Sequence, residues 1–133
     1  MSVSLYKKGD PVIILDDGKF IGKELSINKP YFKGAGVLKV YASWCPHCQS
    51  KVQSLNKLAQ SLKPHGMAVY VLNGEDNPIF MSTYQVQGFP TFYEITATGA
   101  IGQLLQVASV PDIVRSLCGR NKEVCAFIKQ MEG

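Results

Sequence analysis

Short apolar runs alternate with turn-forming clusters along this chain, and the runs fall into two periods. Val12-Ile13-Ile14-Leu15 is a β-branched run stopped by Asp16-Asp17-Gly18, so a first strand ends there. Val37 to Ala42 is apolar on both alternations, the pattern of a central strand buried on both faces. Met67 to Leu72 is a third strand and Phe92 to Ile95 a fourth. Thr98-Gly99 reads as a hairpin turn into Ile101 to Leu105, which gives an antiparallel pair. Helical spacing appears between these runs. Cys48, Val52, Leu55, Ala59 and Leu62 form one stripe, polar residues cover the opposite face, and Lys63-Pro64-His65-Gly66 ends the helix. A short helix is expected around Ile79 to Tyr84. Another opens at Pro111-Asp112, with Ile113, Val114, Leu117 and Cys118 on one face.

Two stretches are weaker. Residues 1 to 10 are polar and read as a lead-in, and Lys19 to Gly36 supports only a short helix or a loop. The order of elements describes an α/β sheet with helices on both faces. At 133 residues the chain is expected to be one domain, 1–133, with its core at about 11–118 and a C-terminal helical extension at 119–133.

Composition narrows the function classes. With 46% hydrophobic and 18% charged residues the chain is globular rather than disordered. The net charge of +4 is scattered and Lys7-Lys8 is the one adjacent basic pair, which argues against nucleic-acid binding. The longest uncharged stretch, Ile95 to Pro111, is interrupted by Thr, Gly, Gln and Ser and does not read as a membrane span. Met1 to Lys8 holds no apolar core of a secretory signal. The expectation is a soluble, monomeric, cytoplasmic protein, with an exported or virion location left open.

The chemistry concentrates in Ser43-Trp44-Cys45-Pro46-His47-Cys48, where the second strand turns into the first helix. A helix start presents unpaired N–H groups and the positive end of the peptide dipoles, and both stabilise an anion. Cys45 is the candidate for that anion. Pro46 suits the first helical position, and a protonated His47 adds a second push toward the thiolate. Cys45 is therefore read as the attacking thiolate. Cys48 begins the apolar stripe and is read as the buried, resolving thiol.

Trp44-Cys45-Pro46-His47-Cys48, Asp76-Asn77-Pro78, Tyr84 and Gly88-Phe89-Pro90-Thr91, at this spacing, resemble the thioredoxin superfamily over roughly Val37 to Cys118. The resemblance implies a thioredoxin fold, with a mixed sheet of four to five strands flanked by helices. It also implies thiol–disulfide exchange on protein substrates without a cofactor, and a redox partner that recycles the cysteine pair. Pro90 would follow a cis bond beside the cysteines, with the Phe89 backbone free to pair with an extended substrate. Trp44, by its position beside the cysteine pair, reads as a wall around the substrate sulfur or as packing. Pro46-His47 is similar to the dipeptide of the bacterial periplasmic disulfide donors, which leaves reductase, oxidase and isomerase directions open. Lys39 occupies the position where thioredoxin has a buried Asp and the isomerases a Glu. A buried lysine releases its proton readily and would serve as a base toward Cys48, or, left charged, would stabilise the thiolates; the remaining alternative is a lysine reaching solvent along a sheet edge.

Other residues carry less. His65 is read as surface, and Tyr41 and Phe89 as core or rim of the site. On one continuous helix Cys118 and Cys125 would stand about 10.5 Å apart, beyond the reach of a disulfide at about 7 Å. A break at Gly119-Arg120-Asn121 would permit a bridge; otherwise both stay reduced. Rival functions are a zinc module holding Cys45, Cys48, Cys118 and Cys125, and a thioredoxin-like adaptor without catalysis.

Overall fold

The structure, a computed structural model, describes residues 4–105, 112, 113 and 115. In chain order the elements are β1 (Ile13–Leu15), β2 (Phe20–Ile21), β3 (Ser26–Ile27), β4 (Gly36–Tyr41), α1 (Pro46–Ser50) and α2 (Val52–Leu62). These are followed by β5 (Ala68–Asn73), α3 (Pro78–Thr83), β6 (Thr91–Ile95) and β7 (Ile101–Leu105). Five strands form one sheet in the order β1-β5-β4-β6-β7. The β1–β5 and β4–β5 pairs are parallel; β4–β6 and β6–β7 are antiparallel. This is the mixed sheet expected, with β4 at its centre.

Side chains alternate across a strand, and β4 is buried at every position, so it feeds two cores. Val37 and Tyr41 face α2 and pack with Leu55, Leu58, Ala59 and Leu62. Leu38 and Val40 face the other way, toward Tyr70, Leu72, Phe80 and Tyr93. Lys39 shares the face of Val37 and Tyr41, under the helices. The β4–β5 pairing needs glycine at one point, because a Cβ on Gly36 would come within 1.8 Å of the Ala68 carbonyl oxygen.

Three elements differ from expectation. The stretch Lys19 to Gly36 is neither helix nor plain loop: β2 and β3 form a small antiparallel ribbon between two 3-10 turns, Asp17–Lys19 and Lys29–Tyr31. Phe20 lies 5.5 Å from the Phe80 ring, and the Tyr84 hydroxyl donates to the Glu24 carbonyl, so the ribbon is pinned to α3. Next, the single helix expected over Cys48–Leu62 is two. α1 begins earlier, at Pro46, and Lys51, at φ −102 and ψ 3, separates it from α2. The cause lies at the Cys48 carbonyl, which accepts from Lys39 Nζ at 2.8 Å and from the Lys51 N–H at 3.4 Å. A side chain inserted at a helix carbonyl disturbs the regular ladder. Finally, His65 is half-buried in a 3-10 turn rather than on the surface.

The turn after β1 does more than end a strand. Asp17 accepts the Ile79 and Phe80 N–H groups at 2.9 and 3.0 Å and so caps α3, while its own N–H donates to Asn77 Oδ1 at 2.8 Å. Asp112, Ile113 and Arg115 are helical, as expected after Pro111, and Ile113 is fully buried in the α2-side core. Val114, Leu117, Cys118, Cys125 and the extension 119–133 lie outside the described residues.

Candidate active site

Cys45 sits where β4 gives way to α1. Its N–H donates to the Ala42 carbonyl at 3.1 Å and its carbonyl accepts the Gln49 N–H at 3.0 Å, so the backbone is turning into the helix at this residue. With φ −79 and ψ 114 it is the N-cap, and its Sγ accepts the Cys48 N–H at 3.2 Å. Pro46 takes the first helical position, which requires no N–H. Pro46 and His47 are exposed. Both thiols are free, with Cys45 3% and Cys48 0% exposed. The two sulfurs therefore share one turn, one at the helix cap and one beneath it.

The loop before Cys45 is held by a residue that sequence reasoning did not single out. Glu75 Oε1 accepts both the N–H and the hydroxyl of Ser43, at 2.8 and 2.9 Å, and Gln49 Nε2 donates to the Ser43 carbonyl at 2.6 Å. Trp44 follows, 65% exposed, and meets the Phe89 ring edge-on at 5.8 Å. The Phe89–Pro90 peptide bond is cis. Phe89 is half-buried and packs on the cluster that contains Cys45 and Cys48. A Cβ on Gly74 would come within 2.7 Å of the Phe89 ring and 2.8 Å of Met81 Sδ, so this glycine makes room for the aromatic rim. Tyr41 is a core residue beneath the pair.

Lys39 does not reach solvent along an edge, because β4 is the central strand and the residue is fully buried. Its Nζ donates to the Cys48 carbonyl at 2.8 Å and to the Tyr6 hydroxyl at 2.7 Å. The Tyr6 ring lies 5.0 Å and the Tyr41 ring 5.9 Å from the amine. Burial lowers the Lys39 pKa to about 8, against an opposing pull from Cys48 and a further push down from Lys51. Burial raises the Cys48 thiol well above the ordinary range, helped by its hydrogen bond with Cys45 and opposed by a hydrogen bond with the Ala42 backbone and by Lys39. A thiol that gives up its proton reluctantly thus lies within electrostatic reach of an amine that holds its proton weakly. The segment expected to be a polar lead-in reaches this site through Tyr6. No motif pointed to it; its one signal was an aromatic residue among polar ones.

Among the described residues no group of three or more His, Cys, Asp and Glu could hold a metal ion, and the proposed partners Cys118 and Cys125 lie outside them. Nor is any described helix long and apolar enough to cross a membrane.

The fold resembles that of Chlamydomonas reinhardtii thioredoxin f2, with a TM-score of 0.65 at 17% identity, over 83% of this chain and 96% of that one. In sequence, a protein disulfide-isomerase like 2-2 from Arabidopsis thaliana is 34% identical over 66% of this chain. A protein disulfide-isomerase from Ricinus communis is 27% identical over 98% of it. The chain spans only 18% and 27% of those two proteins. The family model described as Thioredoxin matches residues 26–118. That match begins at β3 and runs beyond Ile113, enclosing both cysteines of the helix cap and the cis-proline strand, and on this ground the chain belongs to the thioredoxin family.

Proposed function

We propose that this chain exchanges disulfides with protein substrates through Cys45 and Cys48. The observation that carries the reading is the shared turn at the start of α1, with the Cys48 N–H directed at Cys45 Sγ. As a reductase, the Cys45 thiolate attacks a substrate disulfide, forming a mixed disulfide and releasing one substrate thiolate. Cys48 then gives up its proton and attacks Cys45 Sγ, closing the Cys45–Cys48 bond and releasing the second thiolate. The substrate gains two electrons and the cysteine pair loses them, so a recycling partner must restore the dithiol. Run backwards, the same steps donate a disulfide. Lys39, as the neutral amine, takes the Cys48 proton. The backbone at Phe89 and Pro90 aligns an extended substrate, Trp44 covers its sulfur, and His47 stands exposed on the helix start to tune the pair. The disulfide-isomerase names among the relatives support substrates that are proteins.

A redox titration in glutathione buffers, with alkylation and mass mapping, tests this. Cys45 and Cys48 are expected to interconvert as a pair. A potential near about −270 mV fits a reductase in a reducing cytoplasm and one near about −120 mV a disulfide donor in an oxidising compartment. Cysteines that fail to interconvert at any potential would overturn the reading.

A further inference from the structure

Tyr6 lies 33 positions from Lys39 in sequence, yet its hydroxyl is 2.7 Å from the Lys39 amine, and only 2% of the residue is exposed. The segment that brings it there is anchored apart from Lys39. Ser4 Oγ donates to the Tyr6 carbonyl and meets the Tyr41 hydroxyl at 3.1 Å. The Tyr6 and Tyr41 rings pack edge to face at 5.5 Å. Beyond Tyr6 the chain turns, with the Lys7 N–H on the Asp10 carboxylate and the Asp10 N–H on the Lys7 carbonyl. Tyr6 is therefore held in place by contacts that do not depend on Lys39.

A lysine side chain has four rotatable bonds and no directional preference of its own. Here two acceptors define its end point, the Tyr6 hydroxyl and the Cys48 carbonyl. A neutral amine has two N–H groups, and these two acceptors use both, which leaves the lone pair for an incoming proton. We propose that Tyr6 is the positioning residue of the resolving step, holding the Lys39 amine behind Cys48 so that it receives the thiol proton. The proposal rests on the exchange chemistry given above. In the step, the Cys48 S–H bond breaks and its proton binds the Lys39 lone pair. The sulfur electron pair forms the bond to Cys45, and the substrate thiolate leaves with the electrons of the mixed disulfide. Tyr6 transfers no proton; burial raises its phenol above the ordinary range, so it acts through its oxygen as an acceptor.

The other titratable or charged groups around this pair are Tyr41 on β4, Cys45 and Cys48 on α1, and Lys51 between the helices. Asp10 stands toward Tyr6 and Asp76 toward Tyr41. Tyr6→Phe alters none of them and keeps the ring. The test is single-turnover reduction of a disulfide-bonded peptide by the full chain, with release of each peptide thiol followed separately over a range of pH. Tyr6→Phe is expected to slow release of the second thiol about five- to tenfold near neutral pH. Its rising limb should move to lower pH by about half a unit to one unit, because the ammonium loses an acceptor. Adduct formation at Cys45, measured in a Cys48→Ser background, should stay within about twofold, as Cys45 chemistry precedes the proton transfer. In a Lys39→Met background, Tyr6→Phe should add nothing. Tyr6→Met gives the same readouts if the phenylalanine variant folds poorly. An unmoved pH profile, or equal slowing with and without Lys39, would overturn the proposal and leave the exchange reading intact. Absence of any Cys45 adduct in the Cys48→Ser chain would overturn both.

Discussion

Lys39 is costly where it stands. Its folded pKa of about 8 lies below the ordinary 10.5, so between those values the unfolded chain binds more protons than the folded one. Stability from this group therefore rises with pH through that window and is lowest, and flat, below it. Cys48 and Tyr6, raised by burial, work in the opposite direction at more alkaline pH. Lys39→Met is thus expected to stabilise the reduced chain at pH 7 by about 1–3 kcal/mol, less whatever is lost by stranding the Tyr6 and Cys48 oxygens. The advantage should shrink as pH rises past 8, and urea titrations at several pH values would show it. A variant less stable than the parent at every pH would mean that the amine is held in the core at no cost. Glu75 makes a second prediction at this scale. Glu75→Ala frees the Ser43 loop, and is expected to slow adduct formation at Cys45 a few-fold while costing about 1 kcal/mol or less of stability, since the carboxylate is exposed. Cys45, Pro46, Cys48 and Pro90 were legible in the sequence because their chemistry is written in neighbours. Tyr6 and Glu75 were not, because they meet their partners across 33 and 32 positions and no local pattern marks them.

At the level of elements, the long strands and α2 announce themselves by period, whereas a two-residue strand has none. The β2–β3 ribbon was hidden for that reason, and what holds it is tertiary, Phe20 on Phe80 and Tyr84 on Glu24. The break at Lys51 was hidden too, because its cause is a lysine on another element. Two substitutions probe how elements are joined. Gly36→Ala places a methyl against the Ala68 carbonyl at the centre of the sheet and should cost at least about 3 kcal/mol, read as a lowered urea midpoint. Asp17→Ala removes two N–H acceptors from the start of α3 and should cost about 1–2 kcal/mol, while leaving the redox potential of the cysteine pair unchanged. A potential that moves with Asp17→Ala would show that α3 and the cysteine turn are coupled.

Across the whole molecule, the core on the α2 face gathers Tyr6, the central strands and Ile113 into one cluster with both cysteines. Ile113→Ala is expected to lower stability by about 2–5 kcal/mol, and Tyr6→Ala by about 3–5 kcal/mol, as for other large aromatic truncations. Because both residues belong to one core, each variant should still unfold in a single transition, with circular dichroism and fluorescence coinciding. Separate transitions would mean that the segments around residues 6 and 113 detach on their own.

The chain contains one tryptophan, and it is the residue next to Cys45, mostly exposed and leaning on Phe89. The protein therefore carries its own optical gauge. Indole emission responds to a sulfur partner that changes between thiol and disulfide and to a peptide laid over the ring, and no other indole dilutes the signal. Oxidation of the pair and occupation of the rim can both be followed by light alone, on the unlabelled chain.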